Sequence, residues 1–180
     1  TTATYGTAVT ITATVNTPGT VAFKVGGAVI SGCSAVAAAS TTATCSWTPA
    51  AVNATTALTA DFIPTSSNFS SLTAVGSVTI NVGKRLITVT ASTGQSKAYG
   101  ATDPTLTYTI TSGSLYSTDA LTGALTRAAG ESVGSYAISL GSLANTNYTI
   151  TFGTATNFAI TAVGQSALTF ATTSYNVTFG

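Results

Sequence analysis

The strongest constraint in this sequence is a period of two. Val9, Ile11, Ala13 and Val15 alternate with Thr10, Thr12 and Thr14. Successive side chains of a strand point to opposite faces, so such a run has one apolar face and one hydroxylated face and fits a half-buried strand. The pattern recurs in Val21, Phe23 and Val25, in Leu58, Ala60 and Phe62 up to Pro64, and in Val78, Ile80 and Val82. It continues in Leu106, Tyr108 and Ile110 among four threonines, in Tyr136, Ile138 and Leu140, in Tyr148, Ile150 and Phe152, and in Phe158 and Ile160. Leu121, Gly123 and Leu125 follow a Ser/Thr/Asp turn in the same manner. Asn16-Thr17-Pro18-Gly19 and Gly26-Gly27 supply turn chemistry between runs. No stretch carries helical spacing; the Ala-rich segment at Ala35 to Ala39 is short and set among Ser, Gly and Cys. Short strands separated by turns argue for antiparallel β-sandwiches. The 180 residues suit two sandwiches of roughly 80–100 residues better than one large one. The expected fold class is all-β: two antiparallel sandwiches in tandem.

Charge narrows what such a chain can do. Charged side chains make up 5% of the residues, against roughly 25% in an ordinary soluble domain. Thr and Ser supply about a third of the chain instead. A net charge of +1 leaves no electrostatic footprint for nucleic acid or anionic lipid, and no run approaches the ~18 apolar residues of a membrane helix. The absence of His removes the usual general base and the usual metal ligand. The four acids, Asp61, Asp103, Asp119 and Glu131, are scattered over turns and strand ends, and no Asp-x-Asp pattern suggests calcium. The expectation is a protein that is not an enzyme, holds no metal or cofactor, binds no nucleic acid and does not insert into a membrane.

Cys33 and Cys45 form no Cys-x-x-Cys pair. One reading is a disulfide closing a short loop, stabilising by roughly 3 kcal/mol in the chain-entropy model and placing the chain outside the cytosol. The other is two buried thiols in a reducing compartment. Trp47, close to Cys45, is read first as a core residue beside the cysteines and second as an exposed platform for a sugar.

An internal repeat organises the chain. Val82-Gly83-Lys84-Arg85-Leu86-Ile87-Thr88-Val89 resembles Val163-Gly164-Gln165-Ser166-Ala167-Leu168-Thr169-Phe170 at a constant offset. The first copy leaves one sandwich and opens the next. The expected division is therefore 1–83, 84–162, and a segment 163–180 that opens a further domain. Leu168, Phe170, Tyr175, Val177 and Phe179 are apolar enough to require burial, as an inter-repeat or intersubunit strand. Ser174 to Gly180 runs head to tail into Thr1 to Gly6, which suggests one window of a repeating polymer, joined covalently or by strand addition. The alternative is a plain chain boundary with a dangling tail.

Motifs within both halves resemble known families. Gly19-Thr20-Val21-Ala22-Phe23, Cys45-Ser46-Trp47-Thr48-Pro49 and Leu58-Thr59-Ala60-Asp61-Phe62 resemble a bacterial Ig-like repeat over residues 1–83. Tyr99-Gly100-Ala101-Thr102-Asp103-Pro104, Leu121-Thr122-Gly123-Ala124-Leu125-Thr126-Arg127, Gly130-Glu131-Ser132-Val133-Gly134-Ser135-Tyr136 and Asn147-Tyr148-Thr149-Ile150-Thr151-Phe152 resemble the MBG-type repeat of large bacterial surface adhesins over residues 84–162, departing from it at Thr118-Asp119. The resemblance implies Ig-like sandwiches in secreted or cell-surface arrays that serve as stalks, adhesins or fibres, and the head-to-tail repeat makes copies of the chain itself the expected partners. The alternative function is an adhesin module that grips a surface glycan or another surface. Gly134-Ser135-Tyr136 resembles a tyrosine corner. Asp103-Pro104 is expected to open a turn, and Arg127 and Glu131 to pair across one.

Overall fold

In a computed structural model the described residues are 1–154, 156–165 and 178. The fold is all-β, with no helix among the described residues.

The first set of strands is β1 (Thr2–Thr4), β2 (Val9–Thr14), β3 (Gly19–Val25), β4 (Ala28–Val29), β5 (Val36–Ala38), β6 (Thr42–Trp47), β7 (Asn53–Pro64) and β8 (Leu72–Gly83). One sheet runs β1-β8-β7-β3-β4 with β5 also on β3, and β2 and β6 form a second. The alternation read from the sequence sets which side chains meet between the two sheets. Val21 and Phe23 of β3 and Phe62 of β7 pack against Ala43 and Cys45 of β6, while Thr10, Thr12 and Thr14 face outward. Burial of one such Phe or Val side chain is worth about 1.5–3 kcal/mol. The Ala-rich segment is extended too: Ala38 on β5 is buried against this core.

Cys33 and Cys45 are joined by a disulfide with a Cα–Cα distance of 5.9 Å. It ties the loop after β4 to β6, across the two sheets. A Cys33→Ala/Cys45→Ala chain is expected to lose about 3 kcal/mol of unfolding free energy, read as a lower guanidinium midpoint with a somewhat steeper slope, because the unfolded chain expands without the cross-link.

The second set is β9 (Arg85–Ala91), β10 (Ser96–Ala98), β11 (Tyr108–Ser112), β12 (Thr126–Arg127), β13 (Gly134–Ser139), β14 (Tyr148–Phe152) and β15 (Asn157–Thr161). The sheets are β11-β9-β14 and β10-β15-β13-β12. Ile87 and Val89 of β9 meet Ile138 of β13 and Phe158 and Ile160 of β15 in a core sealed from solvent.

Two expectations need correction. The sheets are not purely antiparallel: β1 pairs in parallel with β8, β10 with β15, and β9 with β14. Alternation has the same period in either direction, so it carries no information on strand polarity. The Leu121–Leu125 run is not a strand; it makes one bridge, Thr122 to Ala144. There the backbones approach so closely that a Cβ at Gly123 would fall 2.2 Å from the Ser142 carbonyl oxygen.

Candidate functional site

Three constructions stand out: a joint between the two sets of strands, a charged clasp, and an open apolar groove.

The joint is built on Tyr5-Gly6, directly after β1. Tyr5 N–H donates to the Gly83 carbonyl at 3.0 Å and Gly6 N–H to the Pro49 carbonyl at 2.9 Å, which fixes the turn to the first set. Gly6 has φ +67°, and a Cβ there would lie 2.5 Å from Tyr116 Cγ. Glycine is required on both counts. The Tyr5 side chain, 4% exposed, leaves its own sandwich and enters the core of the second. Its ring stands edge-on to Tyr116 and Tyr148, with centroids 5.5 and 5.8 Å away. The Tyr5 and Tyr148 hydroxyls both donate to Asp119 Oδ2, at 2.9 and 2.5 Å. Burial, then the Asp119 carboxylate, pushes both phenols above their ordinary pKa, so they remain donors. Arg85 closes the other side, its guanidinium donating to the Gly6 carbonyl at 3.1 Å and to Ser114 Oγ at 3.0 Å.

The same turn occurs again at the opposite end. Tyr99 N–H donates to the Thr161 carbonyl at 2.9 Å, Gly100 has φ +81°, and β10 lies on β15 as β1 lies on β8. Here the tyrosine is 58% exposed, and Val133 and Val163 are exposed as well.

The charged clasp holds the loop between β12 and β13. The Lys97 side chain, 5% exposed, reaches Asp103 Oδ1 at 2.6 Å and Glu131 Oε2 at 2.5 Å. Arg127 forks onto Asp103 from Nε at 2.7 Å and Nη2 at 3.0 Å, and Nη2 also meets Glu131 Oε1 at 2.7 Å. Its guanidinium lies over the Tyr136 and Phe158 rings, and Tyr136 Oη donates to the Ser132 carbonyl at 2.6 Å. Arg127 first and Lys97 second hold the Asp103 carboxyl down at about 2; Lys97 first and Arg127 second lower that of Glu131. A carboxylate whose folded-state pKa is depressed stabilises fully above its unfolded value, near 4, and that stabilisation is lost as pH falls through the folded value. Thermal melts are therefore expected to give a flat Tm from pH 8 to about 5 and a decline between about 4 and 2. Asp103→Asn should lower the plateau and flatten the decline.

The remaining carboxylates have structural partners too. Asp61 meets Lys24 Nζ at 2.5 Å and accepts from Ala74 N–H at 2.8 Å, and these two contacts, in that order, lower its pKa. No group of three or more His, Cys, Asp or Glu is placed to hold a metal among the described residues.

The groove lies in the first set. Among the described residues β2 has a ladder on one edge, to β6. Beside it opens a cleft of about 630 Å³ whose lining includes Ile11 and Ala13 of β2, Leu58 and Phe62 of β7, and Val75 and Val78 of β8. Val75 and Val78 are exposed, although β8 is a paired strand.

Residues 87–159 match the family model of the MBG domain (YGX type). The exposed Tyr99-Gly100-Ala101 turn falls inside that stretch, as do Asp119, Tyr148 and the whole clasp. The MBG domain is a repeat found in bacterial surface proteins. The match does not extend over residues 1–83. No curated protein matches the chain. No solved structure matches it either.

Several residues singled out in the sequence fall at these places. Arg127 and Glu131 pair, but with Lys97 and Asp103 added and the cations buried. Asp103 is thus an ion-pair partner as well as a turn residue. Trp47 is half-buried and packs against all three apolar clusters, not only beside the cysteines. Leu168, Phe170, Tyr175, Val177 and Phe179 lie outside the described residues. Sequence reasoning missed the role of Asp119, which reads there only as a departure from a motif.

Proposed function

We propose that this chain is a structural repeat unit of a bacterial extracellular fibre or adhesin stalk, two Ig-like sandwiches in series linked head to tail through the C-terminal strand. The observation that carries this reading is the joint. A stalk must transmit force along its axis, and Tyr5, carried by the first set of strands, buried in the core of the second and bonded to Asp119, resists bending where a bare linker would hinge. The exposed Tyr99 turn offers the same device to a further domain.

Strand polarity suits a tensile role. Because β1 and β8 are parallel, pulling the start of β1 against the end of β8 loads their hydrogen bonds in shear, all at once rather than one by one. The same holds for β9 with β14 and β10 with β15. All four carboxylates serve structural contacts, and a disulfide persists in the oxidising setting outside the cell.

Electron microscopy of the concentrated full chain tests this. Fibres with an axial repeat of one two-sandwich unit support the proposal. A protein that stays monomeric while binding glycans on an array overturns it in favour of a ligand-gripping adhesin module.

A further inference from the structure

The groove has the shape of a strand that the second half possesses. There the chain enters through β9, passes to the other sheet as β10, turns at Tyr99-Gly100 and returns as β11. The first half repeats the last three steps as β1, Tyr5-Gly6 and β2, with matching parallel ladders and matching turn hydrogen bonds. β9 hydrogen-bonds antiparallel to β11, Val89 facing Ile110. At the corresponding edge of β2 the structure has the apolar cleft.

The chain holds a second version of β9. In β9, Ile87 and Val89 are sealed in the core and Leu86 between its neighbours faces solvent. Leu168 and Phe170 stand at the positions of Ile87 and Val89, and Ala167 at that of Leu86.

The strand that precedes that segment, β15, ends at Thr161 beside β10, away from the joint at Arg85 and Gly6. β15 begins beside the far end of β9, where Thr156 Oγ1 donates to the Ala91 carbonyl, and runs on to Thr161 beside β10. The seven residues of β9 and the three of β10 together span about 30 Å at the strand rise. The groove lies beyond the joint at the other end. Ala162 to Ala167, fully extended, cover only about 20 Å.

We propose that the groove receives residues 166–172 of a second copy of this chain as an antiparallel strand on β2. Leu168 and Phe170 enter the cleft beside Ile11 and Phe62, while Ala167 and Thr169 face outward. This rests on the head-to-tail reading above and gives it an acceptor site.

The test uses the full chain carrying Leu168→Asp and Phe170→Asp, which cannot fill another groove, and a labelled peptide of residues 163–173. Saturable binding is expected, with hydrogen-exchange protection appearing on β2 amides. A peptide bearing the same two aspartates should bind about a hundredfold more weakly, since it forfeits the burial of two large apolar side chains. Absence of binding, or binding that leaves β2 amides unprotected, overturns the assignment. So does a monomeric parent chain whose β2 is already protected and loses that protection in the double variant, since the tail then fills its own groove. The two readings fail separately. Fibres with no peptide effect at β2 sink the groove and keep the stalk; peptide bound at β2 of a chain that never polymerises sinks the stalk and keeps the groove.

Discussion

Replacing Tyr5 by alanine is expected to lower the melting temperature by on the order of 10 °C and to split one calorimetric transition into two. Tyr5 belongs by sequence to the first set of strands and by packing to the second core, 4% exposed beside Tyr116 and Tyr148. Its removal takes away two edge-on aromatic contacts and leaves Asp119 with one phenol donor in place of two. What then remains across the joint is the Arg85 hydrogen bond to the Gly6 carbonyl and the packing of Val82, Val52 and Trp47 on the second core, which is expected to couple the two cores more weakly. Each sandwich then melts by itself. Tyr5→Phe separates the contributions, because it keeps the ring and deletes the hydroxyl. The single transition should survive in that variant at a modestly lower temperature. If Tyr5→Ala also melts in one step, the joint is not what couples the halves. The same substitution made at Tyr99, which is 58% exposed, should leave the melting temperature of the isolated chain within about 2 °C of the parent.

Particular residues show what the sequence disclosed and why the rest stayed hidden. Alternation disclosed the strands and their inward faces, because period two is a local property: Val21, Phe23, Ile138 and Phe158 are all buried as their positions imply. Polarity stayed hidden, since β1 on β8 and β10 on β15 depend on where the chain crosses between sheets. The clasp was half legible. Arg127 and Glu131 are four residues apart and suggested a pair, whereas Lys97 and Asp103 join them only through the fold. The joint was illegible for the same reason, with Tyr5 and Asp119 separated by 114 residues. The groove illustrates the opposite case. Repetition of the β9 sequence near residue 168 suggested a strand in search of a sheet, and the edge of β2 beside the apolar cleft is where we propose that it pairs.

Phe158→Ala should be the most damaging single core substitution in the second half, costing about 3–5 kcal/mol. Phe158 has no solvent exposure and sits on β15, between β10 and β13, so the side chains around it are held by ladders on both sides and cannot collapse into the space it leaves. It is also the floor under Arg127, whose guanidinium carbon lies 5.3 Å from its ring centroid. Truncation opens the cavity directly beneath the charged clasp, so water gains access to the buried guanidinium of Arg127, whose carboxylate partners are already partly exposed. Two measurements distinguish this from a simple void. Phe158→Leu keeps most of the volume and loses the ring, so it should cost less than half as much in denaturant melts yet still move the acid decline. In Phe158→Ala that decline should begin at a higher pH than in the parent, because solvent screening lets the Asp103 carboxyl rise from about 2 toward its ordinary value. A large loss of stability with an unmoved acid profile would show that the clasp holds its geometry without the ring, and that Phe158 acts through packing alone.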